Sequence, residues 1–221
     1  MIEECLMHDP LRTALLVIDM QRDFCDPAGY AAQAGLDVAR LAAVAGNIAR
    51  LIDAARNAGT PVIYTREGHL SDLSDCTPAK LLRSRAAGAE IGSRGPLGRL
   101  LVRGEAGHDI IDALRPAPGE IVIDKPGYGA FHRTGLETVL QRMGVARLLL
   151  CGVTTEVCVH STLREAVDRG YDCVTIDDAC AASNPELQQP ALAMIAVEGG
   201  ILGAVASSAH CVTMLAAREA A

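Results

Sequence analysis

Short apolar runs alternate along the chain with longer stretches whose hydrophobic residues recur every three or four positions. Six runs read as strands, over residues 13–19, 60–65, 120–124, 147–151, 172–177 and 199–205. The run at 147–151 lacks the in-out alternation of a half-exposed strand, so it belongs in the middle of a sheet covered on both faces. The intervening stretches read as helices: 36–58, rich in Ala and closed by Gly59; 109–114; 134–143; a helix opening at Thr155; 189–197; and 207–218, with Ser at its start. Strand and helix in turn predict an α/β fold. It is one doubly wound domain over residues 1–221, a mainly parallel sheet with helices on both faces and right-handed crossovers. Residues 66–107 break the rhythm: they are polar, Gly-rich and too long for an ordinary connection, and they leave the carboxyl end of the second strand. That placement predicts a lid that binds substrate and contacts another subunit.

Ligands of open α/β sheets bind beyond the carboxyl ends of the strands, which directs attention to the residues just after each run. The fourth run breaks at Gly152 and turns helical from Thr155, with Val159, Leu163, Ala166 and Val167 on one side. Cys158 therefore stands in a first helical turn, where unpaired N–H groups and the positive dipole end favour a thiolate and can hold an oxyanion. It is the candidate nucleophile, weighed against the commoner fate of a buried cysteine as core filler in a chain with eight. Asp19, at the tip of the first run, either caps the next turn or serves as a general base. Lys125, held by Pro126 at the end of the third run, faces the same edge, where a cation stabilises a thiolate and a nearby aspartate. Asp23 and Asp26 read as turn residues. Glu67, His69 and Asp72 lack a second histidine, so no metal is expected.

Composition narrows the function classes. Hydrophobic residues make up 50% of the chain and aromatics 3%, which builds an aliphatic core and no platform for stacking bases. A net charge of -7 has the wrong sign for a phosphate backbone, so no nucleic-acid partner is expected. No run reaches the roughly 18 apolar residues of a membrane span. Residues 1–10 lack the regions of a signal peptide, and scattered cysteines without a C-x-x-C pair suit reduced thiols, which predicts a cytoplasmic protein. No glycine spacing matches a phosphate cradle, and no cofactor is expected.

Three segments stand together: Leu16-Val-Ile-Asp-Met-Gln-x-Asp-Phe24, Asp124-Lys-Pro-x-x-x-x-Phe131, and Gly152-Val-Thr-Thr-Glu-Val-Cys-Val-x-x-Thr-x-Arg-x-Ala166. In this order they resemble the isochorismatase-like cysteine hydrolases. The resemblance implies a triad of Asp19, Lys125 and Cys158, a cis peptide between Val153 and Thr154, an oxyanion hole from the N–H groups of Thr154 and Cys158, and a homodimer or homotetramer. Tyr64-Thr-Arg-Glu-Gly-His69, Arg103-Gly-Glu-x-Gly-x-Asp-Ile110 and Ile123-Asp-Lys-Pro-Gly-x-Gly-x-Phe131 look most like biuret hydrolases within that family. That likeness implies a hydrolase releasing ammonia from a terminal carbamoyl group of a small neutral ureide, biuret or triuret, through a covalent Cys158 intermediate. Glu198 stands where biuret hydrolases carry glutamine, and a carboxylate there accepts N–H bonds from a ureido end or repels an acidic one. Phe24, Arg66, Glu67, Tyr128, Thr154 and Glu198 are expected around the substrate. The alternative is a ureidoacrylate or N-carbamoyl amino-acid amidohydrolase, with Arg66 or Arg103 as the cation for its carboxylate. Outside enzymes, the alternatives are a silent interaction domain of this fold or a thiol redox sensor. Nicotinamidases of the superfamily bind a metal through Asp and two His after the second strand, and only Glu67 and His69 occur here.

Overall fold

The computed structural model describes residues 12–219, and the segment read above as lacking a signal sequence lies outside the described residues. The strands are β1 (Thr13–Ile18), β2 (Val62–Glu67), β3 (Arg94–Gly95), β4 (Gly98–Arg99), β5 (Ile121–Lys125), β6 (Arg147–Val153), β7 (Asp172–Ala181) and β8 (Ala204–Ala206). Six of them form one parallel sheet in the order β5-β2-β1-β6-β7-β8, while β3 and β4 make a small hairpin. Every residue of β1 and β6 is buried, as two covered faces require. The covering helices are α1 (Val38–Ala43), α2 (Ala45–Asn57), α3 (Pro78–Ala86), α4 (Leu136–Arg142), α5 (His160–Asp168), α6 (Pro185–Ile195) and α7 (Ser208–Glu219). Among the described residues, no helix is long and apolar enough to cross a membrane.

The chain runs from β1 outward through β2 to β5, then crosses back to lay β6 on the other side of β1. The strand order therefore reverses between β1 and β6, the place where folds of this kind open a crevice. Register brings the strand tips level: Ile18 pairs with both Thr65 and Gly152, and Glu67 pairs with Lys125. At Gly152 φ is +119°, and a Cβ there would collide with the Ile18 carbonyl, so β1 and β6 approach this closely only with glycine.

The expected elements hold with corrections at their ends. The 36–58 helix is two helices meeting at Val44, the first capped by Asp37 Oδ1 accepting from Arg40 N at 3.0 Å. The expected helix over 109–114 is only a single turn at Asp112–Leu114. The last strand is confined to Ala204–Ala206, because Glu198, Gly199 and Gly200 take φ values of 52°, 75° and 90°, a left-handed turn that no strand accommodates. The lid segment contains α3, begun by Thr77 Oγ1 accepting from Lys80 N at 3.2 Å and by Pro78 at the first helical position. Its far end returns to the sheet, where His69 N donates to Leu101 O and Arg103 N to His69 O, both at 2.9 Å. Asp23 is not a turn residue: it is buried and accepts from Leu101 N at 2.9 Å and Tyr30 N at 3.2 Å, clasping the lid to the loop after β1.

Candidate active site

Four adjacent strands deliver one reactive side chain each to the same edge, Lys125 from β5, Glu67 from β2, Asp19 from the end of β1 and Cys158 from the turn after β6. Asp19 leaves the strand with φ at 53°, a left-handed conformation rare outside glycine that turns its carboxylate inward. Thr65 Oγ1 donates to Asp19 Oδ1 at 2.6 Å, and Lys125 Nζ sits 2.7 Å from Oδ2, with both members of that ion pair fully buried. The ammonium also donates to the carbonyls of Gly127 at 3.0 Å and Tyr128 at 2.9 Å. The Val153–Thr154 peptide is cis, and Thr155–Val159 forms a π-type turn. The amides of Val157 and Val159 both donate to the Thr154 carbonyl, at 3.2 and 3.1 Å.

Glu67 belongs to this cluster as fully as Asp19. Cys158 Sγ donates to its Oε2 at 3.4 Å, Lys125 Nζ lies 3.6 Å from the same oxygen, and Lys80 Nζ from α3 lies 2.6 Å from Oε1. Gln21 holds its backbone from both sides, accepting from Glu67 N at 2.7 Å and donating to Glu67 O at 3.0 Å. Lys80, Gln21 and Thr65 escaped the sequence reading. The Thr-Pro pair at 77–78 does announce a helix that would carry Lys80, but not the direction of its side chain.

Charge decides the resting state. Two carboxylates and two ammoniums cancel, leaving no surplus cation for a thiolate. Burial pushes the Cys158 thiol well above its ordinary range; Lys125 opposes this, while Asp19 and Glu67 reinforce it. These effects favour the thiol at rest, whereas the sequence reading favoured the thiolate. Burial also raises the Asp19 carboxyl, against the pull of Lys125. For Glu67 burial works the same way, but Lys80 and Lys125 outweigh it and hold its carboxyl below the usual range. Asp19, Glu67 and Cys158 place donor atoms within 4.8 Å of one another, but the ammoniums already neutralise these acids, so the cluster suits ion pairing rather than a dication.

A cavity of about 250 Å³ opens onto Cys158. Glu67 stands beside the sulfur, Lys80 and Thr154 line the same cavity, and Phe24, Tyr30, Leu36, Ile91, Leu101 and Val157 make an apolar wall; Tyr128 and Arg83 lie where it meets solvent. Phe24, Glu67, Tyr128 and Thr154 thus stand where the sequence places them. Two expected residues do not. Arg66 points to the opposite face of β2 from Glu67, as neighbours on a strand must, and forks onto Asp124 across the sheet at 2.8 and 3.2 Å. Glu198 is exposed and precedes β8, which puts it at the amino edge of a parallel sheet, away from the site. Arg103 is committed to Gly68 O and Asp75, and His69 Nδ1 faces Asp75 at 3.2 Å.

Residues 13–209 match the Isochorismatase domain. The chain belongs to the isochorismatase family. This isochorismatase-like hydrolase is 36% identical over 197 residues to the ureidoacrylate amidohydrolase RutB of Pantoea ananatis, covering 85% of this chain and 76% of that protein. A cysteine hydrolase from Pseudomonas syringae pv. phaseolicola superposes with a TM-score of 0.81 at 32% identity, over 96% of this chain and 95% of that one. The N-carbamoylsarcosine amidase of Thermoplasma acidophilum gives a TM-score of 0.68 at 25% identity, over 89% and 96%.

Proposed function

We propose that the protein is a cysteine amidohydrolase acting on small N-carbamoyl compounds that carry a carboxylate, such as ureidoacrylate or N-carbamoyl amino acids. The gradient of polarity in the cavity carries this reading. Cys158, Glu67 and Lys80 form a polar floor, an apolar wall follows, and at the mouth Arg83 has no acidic partner among the described residues. A carbamoyl head suits the floor and a carboxylate tail suits Arg83. Biuret or triuret, polar along its whole length, would set N–H groups against the apolar wall, at about 1–3 kcal/mol for each one left unsatisfied. The expected neutral ureide gives way here to the carboxylate-bearing alternative, which the RutB relatives also favour.

As Sγ attacks the carbamoyl carbon, Asp19 takes the thiol proton and the carbonyl oxygen becomes an oxyanion on the N–H groups of Thr154 and Cys158. Lys125 stays charged and offsets the anion as it moves from Asp19 to sulfur. The scissile C–N bond breaks as Asp19 hands the proton to the leaving nitrogen. Water, deprotonated by Asp19, then attacks the carbonyl carbon of the Cys158 thiocarbamate; the C–S bond breaks, a carbamic acid leaves and the sulfur recovers its proton. A redox sensor is the weaker reading. The seven described cysteines are free, and burial pushes Cys25, Cys173 and Cys180 up to about 12, where thiols are inert.

The test is a substrate panel of ureidoacrylate, N-carbamoyl amino acids, biuret, triuret and nicotinamide, assayed for ammonia and amine release. Turnover is expected on the first two, with Arg83→Ala raising their KM by about tenfold and leaving kcat nearly unchanged. Biuret turned over as well as they are, with no response to Arg83→Ala, overturns the reading.

A further inference from the structure

Beside the Asp19–Lys125 pair stands a second buried ion pair, and its cation comes from outside the sheet. Lys80 Nζ lies 2.6 Å from Glu67 Oε1, donates to Pro126 O at 2.6 Å, and sits 4.9 Å from the centre of the Tyr128 ring. Three independent contacts fix that ammonium, and none of them is with the sulfur. Glu67 divides its oxygens: Oε1 faces Lys80, while Oε2 faces Cys158 Sγ at 3.4 Å and opens on the cavity.

We propose that Lys80 is a positioning residue of the active site, pairing with Glu67 so that this carboxylate serves as a charged acceptor for an N–H of the bound carbamoyl group and leaves proton transfer to Asp19. Without Lys80, two buried carboxylates and a thiol would share the single ammonium of Lys125, and one acid would have to take up a proton. With it, the acids are set apart. Burial raises the Asp19 carboxyl, while Lys80 and Lys125 lower that of Glu67, the kind of division that assigns acid and base roles in paired carboxylates. The groups facing Glu67 are Lys80 from α3, Lys125 from β5, Asp19 from β1 and Cys158 from the turn after β6; Asp23, Tyr30, His69 and Cys76 stand further off. Of these, the two lysines oppose its protonation most strongly, and the hydrogen bond from the Cys158 thiol adds to them. The inference rests on the proposed carbamoyl substrate for the identity of the N–H donor alone.

Lys80→Met, Glu67→Gln and the double variant test it, each first checked for folding by circular dichroism. Glu67→Gln is expected to lose about tenfold to a hundredfold in kcat/KM, the scale of one hydrogen bond to a charged group. The same variant should alkylate Cys158 with iodoacetamide faster than wild type near neutral pH, since an anion beside the thiol is gone. Lys80→Met should move the acidic limb of the kcat/KM profile upward by about one pH unit or more, because Glu67 then ionises later. The double variant should match Glu67→Gln in both readouts, as it must if Lys80 acts through Glu67. A wild-type pH profile in Lys80→Met, losses that multiply in the double variant, or unchanged alkylation in Glu67→Gln overturns the proposal. Alkylation needs no substrate, so it decides on the pair even if wild type hydrolyses none of the carbamoyl compounds.

Discussion

Cys158 Sγ donates to Glu67 Oε2 at 3.4 Å, so the thiol of the proposed nucleophile rests against a carboxylate outside the expected triad of Asp19, Lys125 and Cys158. Burial and the two nearby acids keep it protonated. Alkylation of Cys158 without substrate should therefore follow an apparent pKa above the roughly 8.5 of a free thiol. Cys158→Ala should fold normally and show no turnover. A value below 8 in the titration would contradict the resting thiol.

Lys125 and Asp19 form a pair with neither side chain exposed, 2.7 Å apart. Lys125→Met strands the carboxylate, and urea unfolding should show a loss of about 3–5 kcal/mol along with activity. Asp19→Asn added to it should recover a good part of the stability and none of the activity. If the double variant is no more stable than the single, the cost lies in packing rather than in charge.

His108 gives a pH dependence of stability. It is buried with Nε2 3.5 Å from Asp124 Oδ1; burial, helped by Arg66 and Arg103, lowers its pKa from 6.5 to about 4 against the pull of Asp124. Between those values the unfolded chain binds a proton that the folded chain refuses, so stability is complete above about 6.5 and falls as pH drops toward 4. Unfolding free energies at pH 7.5 and 4.5 should differ less in His108→Gln than in wild type. An equal difference would place the acid sensitivity elsewhere.

Arg66 and Glu198 lie off the cavity, so Arg66→Ala and Glu198→Gln should leave KM within about twofold of wild type on any carbamoyl substrate. For Arg66 the loss falls on an ion pair with Asp124 that is partly exposed, worth about 1 kcal/mol or less. A large KM effect from either change would bring that residue back into the site.

The three residues of the expected triad could be picked out because each lies at or just beyond a strand tip, and a parallel sheet gathers its strand tips on one edge. Asp19, Lys125 and Cys158 follow from that rule and from motif spacing. Arg66 failed because the motif containing it does not say which strand face it occupies; Glu67, its neighbour, takes the inward one. Glu198 entered through the likeness to biuret hydrolases, which carry glutamine at that place, whereas here it sits in a left-handed turn at the amino edge of the sheet. Lys80 lies in a stretch whose composition reads as loop. Only three-dimensional packing of α3 over the strand tips aims its ammonium at Glu67, and no local pattern encodes that aim.

The origin of Lys80 in α3 has a practical side for anyone reusing this framework. A designer grafting the strand-tip residues onto another scaffold would import an internal acid stripped of its counter-ion, so residues 68–107 have to travel with the graft. On the proposed role of Lys80, shortening that segment to streamline the protein would disarm the chemistry even with Asp19, Lys125 and Cys158 in place.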